Sequence, residues 1–290
     1  MSTPVRVLAF LTGLVAVFGA AWGVGTAAEP MARVDTARHG HATPGDDHVA
    51  GPGEHEAADG AVTVRLDQRV LRPGPESRLV FTLTDAGGRS VTAYDVVHER
   101  PLHLIVLDTR SLTDFQHVHP RRTGPGTWSV ELPLAAGTGY RLYADGRTHG
   151  RDFVATADFF TSGHHPVTGA VPAPSDSTRV AGYDVALERR AGTARLTVTR
   201  DGAPVPLQPY LGALGHLVVI RVDDLAYLHV HPAEGDSPTF AVAGLAAGSH
   251  RYFFDFKVGG EVHTVAFTVD QEPTASAVTT GEEPVHDDEH

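Results

Sequence analysis

Short apolar runs separated by turn-forming residues make up most of the chain. In one block these runs fall at Val62–Leu66, Leu79–Leu83, His103–Leu107, Trp128–Leu132, Tyr140–Tyr143 and Phe153–Phe159. In a second block they fall at Tyr183–Leu187, Ala194–Thr199, His216–Val222, Leu225–Val230, Thr239–Val242, Arg251–Phe256 and Val262–Val269. Six or seven short strands per roughly 100 residues, with turn residues between them, are typical of an antiparallel sandwich. The pattern predicts an all-β protein with two tandem Ig-like or cupredoxin-like β-sandwich domains.

The two blocks are also repeats of one another. HLIVLDTRSLTDFQHVHP, residues 103–120, matches HLVVIRVDDLAYLHVHP, residues 216–232. Downstream, LAAGTGYRLYAD from Leu134 matches LAAGSHRYFFDF from Leu245. We therefore predict an internal duplication, with one sandwich over residues 61–162 and the other over residues 182–270.

The remaining segments differ in composition from the two blocks. Residues 1–30 contain the apolar run Val7–Val24, which predicts an apolar helix that is either a cleaved signal peptide or a single-pass membrane anchor. Residues 31–60 are rich in His, Gly, Pro and acidic side chains, which predicts a disordered linker. A second linker is predicted over residues 163–181, and a disordered acidic tail over residues 271–290. Either reading of the N-terminus predicts an extracytoplasmic protein, secreted or anchored to the cell membrane.

The net charge and the residue composition exclude several kinds of partner and binding site. A formal net charge of -12 argues against nucleic acid as a partner. With no cysteine, the chain cannot form disulfides, thiolate zinc sites or iron–sulfur clusters. Both methionines, Met1 and Met31, precede the predicted domains, so sulfur ligands are absent from them. Histidine, a common metal ligand, is unusually frequent at 18 residues.

Histidines recur at matching positions in both repeats. Residues i and i+2 of a strand share a face, so each His-Val-His-Pro segment presents two imidazoles on the same side. If the preceding apolar strand forms an antiparallel hairpin with this segment, its first histidine lies opposite the last one, with turns near Ser111 and near Asp223 and Asp224. The two predicted triads are His103, His117 and His119 in the first repeat, and His216, His229 and His231 in the second.

Three neutral imidazoles in this arrangement are suited to Zn(II), Cu(II) or Ni(II), with a fourth position left for water or another side chain. Of these ions, we expect Cu(II) or Zn(II). His98 precedes the first hairpin and has no counterpart in the second repeat. His149 and His263 follow the LAAG segments at different spacings. These three histidines are further candidate ligands.

The segments HERPLHLIVLDTRSLTDFQHVHP and PYLGALGHLVVIRVDDLAYLHVHP resemble those of uncharacterised secreted or membrane-anchored bacterial proteins with the same tandem HLxV…HxHP arrangement. The resemblance covers about residues 60 to 270 and the N-terminal segment. It implies an N-terminal anchor, a pair of β-sandwiches and a role with copper or another heavy metal, similar in spirit to small periplasmic copper-binding sandwiches.

Three functions compete at this point. The first is a non-catalytic carrier, buffer or sensor whose partner is a metal ion. The second is a cell-surface interaction or adhesion module in which the histidines are structural, because Ig-like folds often serve such roles. The third is a metalloenzyme, which would need a general base; Asp145, Asp255 and Glu99 are nominal candidates, but no motif places them. The sequence favours the first function and a protein that is not an enzyme.

Overall fold

A computed structural model describes residues 62–164, 169–190, 192–233, 235 and 237–272. The predicted N-terminal helix, the linker over 31–60 and the tail beyond residue 272 lie outside these residues. The described part of the chain is all-β, as predicted, and its eighteen strands form four sheets. Among the described residues there is no helix of the length and apolarity that crossing a membrane requires.

The first repeat contains nine strands in two sheets. The strands are β1 (Thr63–Leu66), β2 (Val70–Leu71), β3 (Gly74–Thr84), β4 (His103–Asp108), β5 (Phe115–Val118), β6 (Arg121–Gly124), β7 (Thr127–Leu134), β8 (Gly139–Thr148) and β9 (Arg151–Thr161). The outer sheet has the order β1-β3-β7-β6, and the inner sheet has the order β2-β9-β8-β4-β5. All pairs except the parallel β2–β9 pair are antiparallel.

The second repeat follows the same plan. Its strands are β10 (Ser177–Val180), β11 (Tyr183–Arg190), β12 (Thr193–Arg200), β13 (Ala203–Pro204), β14 (His216–Arg221), β15 (Tyr227–Val230), β16 (Thr239–Ala241), β17 (Gly248–Val258) and β18 (Glu261–Gln271). The outer sheet runs β10-β11-β12-β13 with β16 also paired to β12, and the inner sheet runs β15-β14-β17-β18. Strand β10 lies inside the segment predicted as the second linker, because its short alternating sequence STRV pairs with β11.

Each repeat encloses its own apolar core between its two sheets. In the first repeat, Phe81 and Trp128 of the outer sheet pack with Leu104 and Val106 of β4. In the second repeat, residues of β12 and β16 pack with Leu217 and Val219 of β14. In each repeat, every second residue of β4 or β14 therefore points into that repeat's own core.

A third apolar cluster joins the inner sheets of the two repeats, which belong to one compact unit of the chain. It contains Ile105 and Leu107 of β4 together with Val218 and Ile220 of β14. Strand β4 is therefore buried on both faces, and all six of its residues are buried. The continuous apolar runs after His103 and His216 reflect this double burial, since a strand covered on both sides has no polar face.

Candidate metal centre

The first hairpin has the predicted register. Strand β4 pairs with β5 through Leu104 opposite Val118 and Ile105 opposite His117, so continuing the ladder places His103 opposite His119. The turn lies between Asp108 and Phe115, where it was predicted. Because directly opposed residues share a face, all three histidines project to the side of β4 that faces the second repeat.

The second hairpin repeats this geometry. Strand β14 pairs with β15 through Leu217 opposite Val230 and Val218 opposite His229, which places His216 opposite His231. Its turn spans the residues between Ile220 and Tyr227, as predicted. Both hairpins therefore end in a histidine triad on the inter-repeat face.

The turn of the first hairpin is fixed by one carboxylate. Asp108 accepts hydrogen bonds from the backbone N–H groups of Ser111, Leu112, Thr113 and Asp114, at 2.7–3.1 Å. Burial disfavours its charged form, but these hydrogen bonds outweigh that effect and lower the pKa of Asp108. The carboxylate holds the turn in the conformation that aligns β4 with β5.

In both triads the candidate donor atoms converge. Each of the six histidines offers a ring nitrogen that lies within 4.8 Å of those of its two triad partners. In the first triad, His103 Nδ1 lies 3.1 Å from His117 Nε2 and 3.3 Å from His119 Nε2. Such spacing can hold one cation among three imidazoles.

The outward-facing nitrogens of four of these histidines are held by acceptors. His103 Nε2 donates to the carbonyl oxygen of Val97 at 3.2 Å, and His216 Nε2 donates to that of Tyr210 at 3.0 Å. His117 Nδ1 and His229 Nδ1 each bond to an aspartate carboxylate, at 2.8 and 2.9 Å. Since a carbonyl or carboxylate oxygen only accepts, each of these outer nitrogens carries a proton, and in the neutral ring the inner nitrogen then presents a lone pair.

The arrangement of lone pairs fits a metal ion. His103 Nδ1 and His117 Nε2 are then two acceptors only 3.1 Å apart. In the second triad the inner nitrogens are buried and lack a hydrogen-bond partner; they are His216 Nδ1, His229 Nε2 and His231 Nε2. Buried acceptors without a donor are costly, and a divalent cation bound by all three would remove that cost.

The electrostatics favour the neutral imidazole at His103, His119, His216 and His229. Burial, reinforced by the neighbouring His117, lowers the pKa of His103 to about 4 and that of His216 to about 4. The same causes lower the pKa of His119 to about 3, and burial lowers that of His229 well below its usual range. Neutral imidazole is the form that ligates metals.

The crossed pairing between repeats was not anticipated from the sequence. His117 of the first repeat bonds to Asp255 of the second, and His229 of the second bonds to Asp145 of the first. The sequence had suggested both aspartates only as nominal bases. Tyr227 also donates to Asp145 at 2.9 Å, and burial raises the pKa of that carboxyl.

The equivalence of Asp145 and Asp255 is hidden in the sequence by a one-residue difference in spacing. Aligning the LAAG segments without a gap sets Asp145 against Phe256, whereas the strand register sets it against Asp255. Asp145 lies opposite His103 in the β4–β8 pair, and Asp255 lies opposite His216 in the β14–β17 pair. A one-residue shift moves a strand residue to the other face, so the ungapped alignment misses the match.

The other three candidate ligands occupy different places. His98 of the first repeat stacks on His231 of the second, with ring centroids 3.4 Å apart, and lies 5.9 Å from His216. His149 is exposed in the turn between β8 and β9. His263 contacts the rings of Tyr183 and Phe256. The structure thus brings His98 to the second triad and places His149 and His263 apart from both triads.

Two solved structures with β-sandwich domains match this chain, although their TM-scores are low. A segment of two fibronectin type III domains from chicken tenascin is 10% identical, covers 73% of this chain and 100% of its own, and has a TM-score of 0.23. The Escherichia coli adhesin FdeC is 15% identical, covers 74% of this chain and 65% of its own, and has a TM-score of 0.23.

A search among curated proteins finds no match to the chain. One family model matches it twice, over residues 56–163 and 177–273, which together make up more than half of the sequence. The two matches fall on the two repeats. The chain therefore belongs to the family described as Domain of unknown function (DUF8832).

Proposed function

We propose that the protein is an extracytoplasmic transition-metal-binding protein in which each repeat holds a divalent ion through three imidazoles. The ligands are His103, His117 and His119 in one repeat, and His216, His229 and His231 in the other. With nitrogen donors only, the ions best suited to these sites are Cu(II) and Zn(II). The apolar segment at the N-terminus serves for export or as a membrane anchor.

One observation carries the proposal. In both repeats the outer nitrogens of two ligands are held by acceptors, so in the neutral rings the inner nitrogens of these two ligands carry no proton. Hydrogen bonds from metal-ligating histidines to carbonyls and carboxylates fix the ring orientation and tautomer in the same way. A purely structural role for the histidines would leave three buried nitrogens of the second triad without a partner.

The proposed role is binding without catalysis. A hydrolytic metal site needs a free general base near the ion. Here the two carboxylates next to the triads are engaged: Asp145 accepts from Tyr227 and His229, and Asp255 accepts from Thr264 and His117. Both act as acceptors that orient imidazoles, which favours a carrier, buffer or sensor.

The test is metal retention by the purified full chain at neutral pH. Protein incubated with Cu(II) or Zn(II) is passed over a chelating resin, which removes ions held weakly by histidines outside the repeats. We expect the wild type to retain the metal. Changing His117 and His119 to alanine, or His229 and His231 to alanine, is expected to abolish retention at the altered site.

A matched control separates ligand loss from histidine loss. The double change His149→Ala and His263→Ala removes two histidines that lie apart from the triads, and should leave the retained metal unchanged. If the folded wild type retains neither ion, the metal-binding proposal is wrong, and the interaction-module alternative becomes the better explanation.

A further inference from the structure

The two triads are nearly as close to each other as the histidines within each triad. Between repeats, the ring centroids of His103 and His229 are 5.5 Å apart, and those of His117 and His229 are also 5.5 Å apart. Within repeats, the His103–His117 and His216–His229 separations are 5.3 and 5.6 Å. The six rings form one cluster at the inter-repeat surface.

Aromatic contacts join the inner sheets of the two repeats around this cluster. Phe115 stacks on Phe253 with centroids 4.1 Å apart, and Tyr143 stacks on Tyr227 at 4.7 Å. The Tyr143 hydroxyl also donates to the carbonyl oxygen of Leu225 at 2.8 Å. Contacts of this kind fix the position of one triad relative to the other.

The aspartates connect the triads in a crossed pattern. Each lies on the strand next to its own repeat's first histidine, as Cα partners His103–Asp145 and His216–Asp255. Each nevertheless bonds to a histidine of the opposite repeat. The side chains of His117 and Asp255 are 2% and 4% exposed, so solvent cannot replace this hydrogen bond. Neither triad has its full set of acceptors without the other repeat.

We propose that the two triads form a single two-metal centre, in which the aspartate of each repeat positions a ligand of the other repeat's ion. This inference rests on the proposed metal-binding function. Two neighbouring dications repel each other, and the carboxylates of the buried Asp255 and the partly buried Asp145 offset part of that repulsion. The same carboxylates make the bonded imidazoles better electron donors to the ions.

The first experiment uses the full chain loaded with Cu(II), freed of weakly bound ions, and measures bound copper together with its electron paramagnetic resonance spectrum. We expect two ions per chain and a spectrum broadened by spin–spin coupling, with a half-field transition. The variant His229→Ala, His231→Ala should bind one ion and show the spectrum of isolated Cu(II). Comparison with this variant shows which features of the wild-type spectrum come from coupling between the two ions.

The outcomes separate the two proposals. Two bound ions with uncoupled spectra would overturn the two-metal centre and leave metal binding by each repeat intact. One ion per wild-type chain would overturn it as well, since the six histidines would then serve a single ion. Retention of no metal at all would defeat both proposals together.

The second experiment tests the crossed positioning in the His229→Ala, His231→Ala background, where only the first triad remains. Asp255→Asn is expected to weaken Cu(II) binding roughly 10- to 100-fold, because it removes the charged acceptor of His117. Asp145→Asn, although it lies on the strand next to His103, is expected to weaken binding less. Asp184→Asn, a change to an exposed ion pair with Arg179, is the control that should leave affinity unchanged.

A larger effect of Asp145→Asn than of Asp255→Asn would show that each aspartate acts within its own repeat, and would overturn the crossed assignment. A general loss of folding is excluded by comparing the circular dichroism of the variants. The copper spectrum gives a further readout, because a repositioned His117 changes the hyperfine splitting, whereas a change distant from the site does not.

Discussion

Lowering the pH of the metal-free protein from 7 to 5 is expected to destabilise it through its buried histidines. His103 and His216 are 3% and 0% exposed, and burial together with the neighbouring His117 lowers the pKa of each to about 4. In the unfolded chain the pKa of histidine is about 6.5. Because the folded-state pKa is depressed, the contribution to stability is full above about pH 6.5 and is lost as the pH falls toward 4.

The size of the effect follows from proton uptake. At pH 5 an unfolded histidine binds nearly one proton, whereas a folded one with a pKa of about 4 binds roughly a tenth of a proton. Each residue then contributes a slope of about 1 kcal/mol per pH unit, and a loss of about 2 kcal/mol between pH 7 and 5. The raised pKa of Asp145 acts in the opposite sense, whereas the depressed pKa values of His119 and His229 add to the loss. About 4 kcal/mol is therefore the contribution of His103 and His216 alone.

Urea unfolding of the metal-free chain at pH 7, 6 and 5 measures this slope. His216→Gln removes one of the titrating groups and is expected to reduce the slope near pH 5 by about 1 kcal/mol per pH unit. His149→Gln, at an exposed turn, is the control and should leave the slope unchanged. Equal free energies of unfolding at pH 7 and pH 5 would refute the reasoning, as would equal effects of the two substitutions.

Two further predictions concern the elements that place the triads. Asp108→Ala is expected to lower the free energy of unfolding by about 2–3 kcal/mol, because several backbone N–H groups lose their acceptor. Asp85→Ala, in an exposed turn, should lower it by less, and urea unfolding at pH 7 compares the two variants. Phe253 lies at the inter-repeat surface and is 1% exposed, so Phe253→Ala is expected to lower the free energy of unfolding by about 3–5 kcal/mol. The control Phe160→Ala, at a residue that is 57% exposed, should lower it by less than about 0.5 kcal/mol. Equal losses in urea unfolding would contradict the role of Phe253 as a buried contact.

The strands and the triads were predictable because both depend on local periodicity. The alternating runs fix which residues share a face, and the turn sequences around Ser111 and Asp224 fix the hairpin register that sets His103 opposite His119. Strands β2, β6, β10 and β13 were missed because they are short and their apolar pattern is weak. For such segments, pairing with a neighbour decides the structure, and pairing is not visible in a short window of sequence.

The relation between the repeats could not be read from periodicity. The sequence shows that Ile105 and Val218 are apolar, but not that one packs toward the other across two inner sheets. The crossed bonds of Asp145 and Asp255 depend on that packing, and the one-residue difference in length after the LAAG segments obscured their equivalence. His98, which has no counterpart in the second repeat, is explained by its contact with His231 in that repeat.

The duplication and the chemistry of the site are connected by this geometry. One repeat alone would expose the apolar surface around Ile105 and Leu107, and would leave His117 without the carboxylate that orients it. Two copies of the same hairpin facing each other bury both surfaces and supply each other's acceptor. Retention of HL, HVHP and the aspartate in both copies, while the turn residues between them differ, is what such mutual dependence requires. The unit of function proposed for this chain is therefore the pair of repeats.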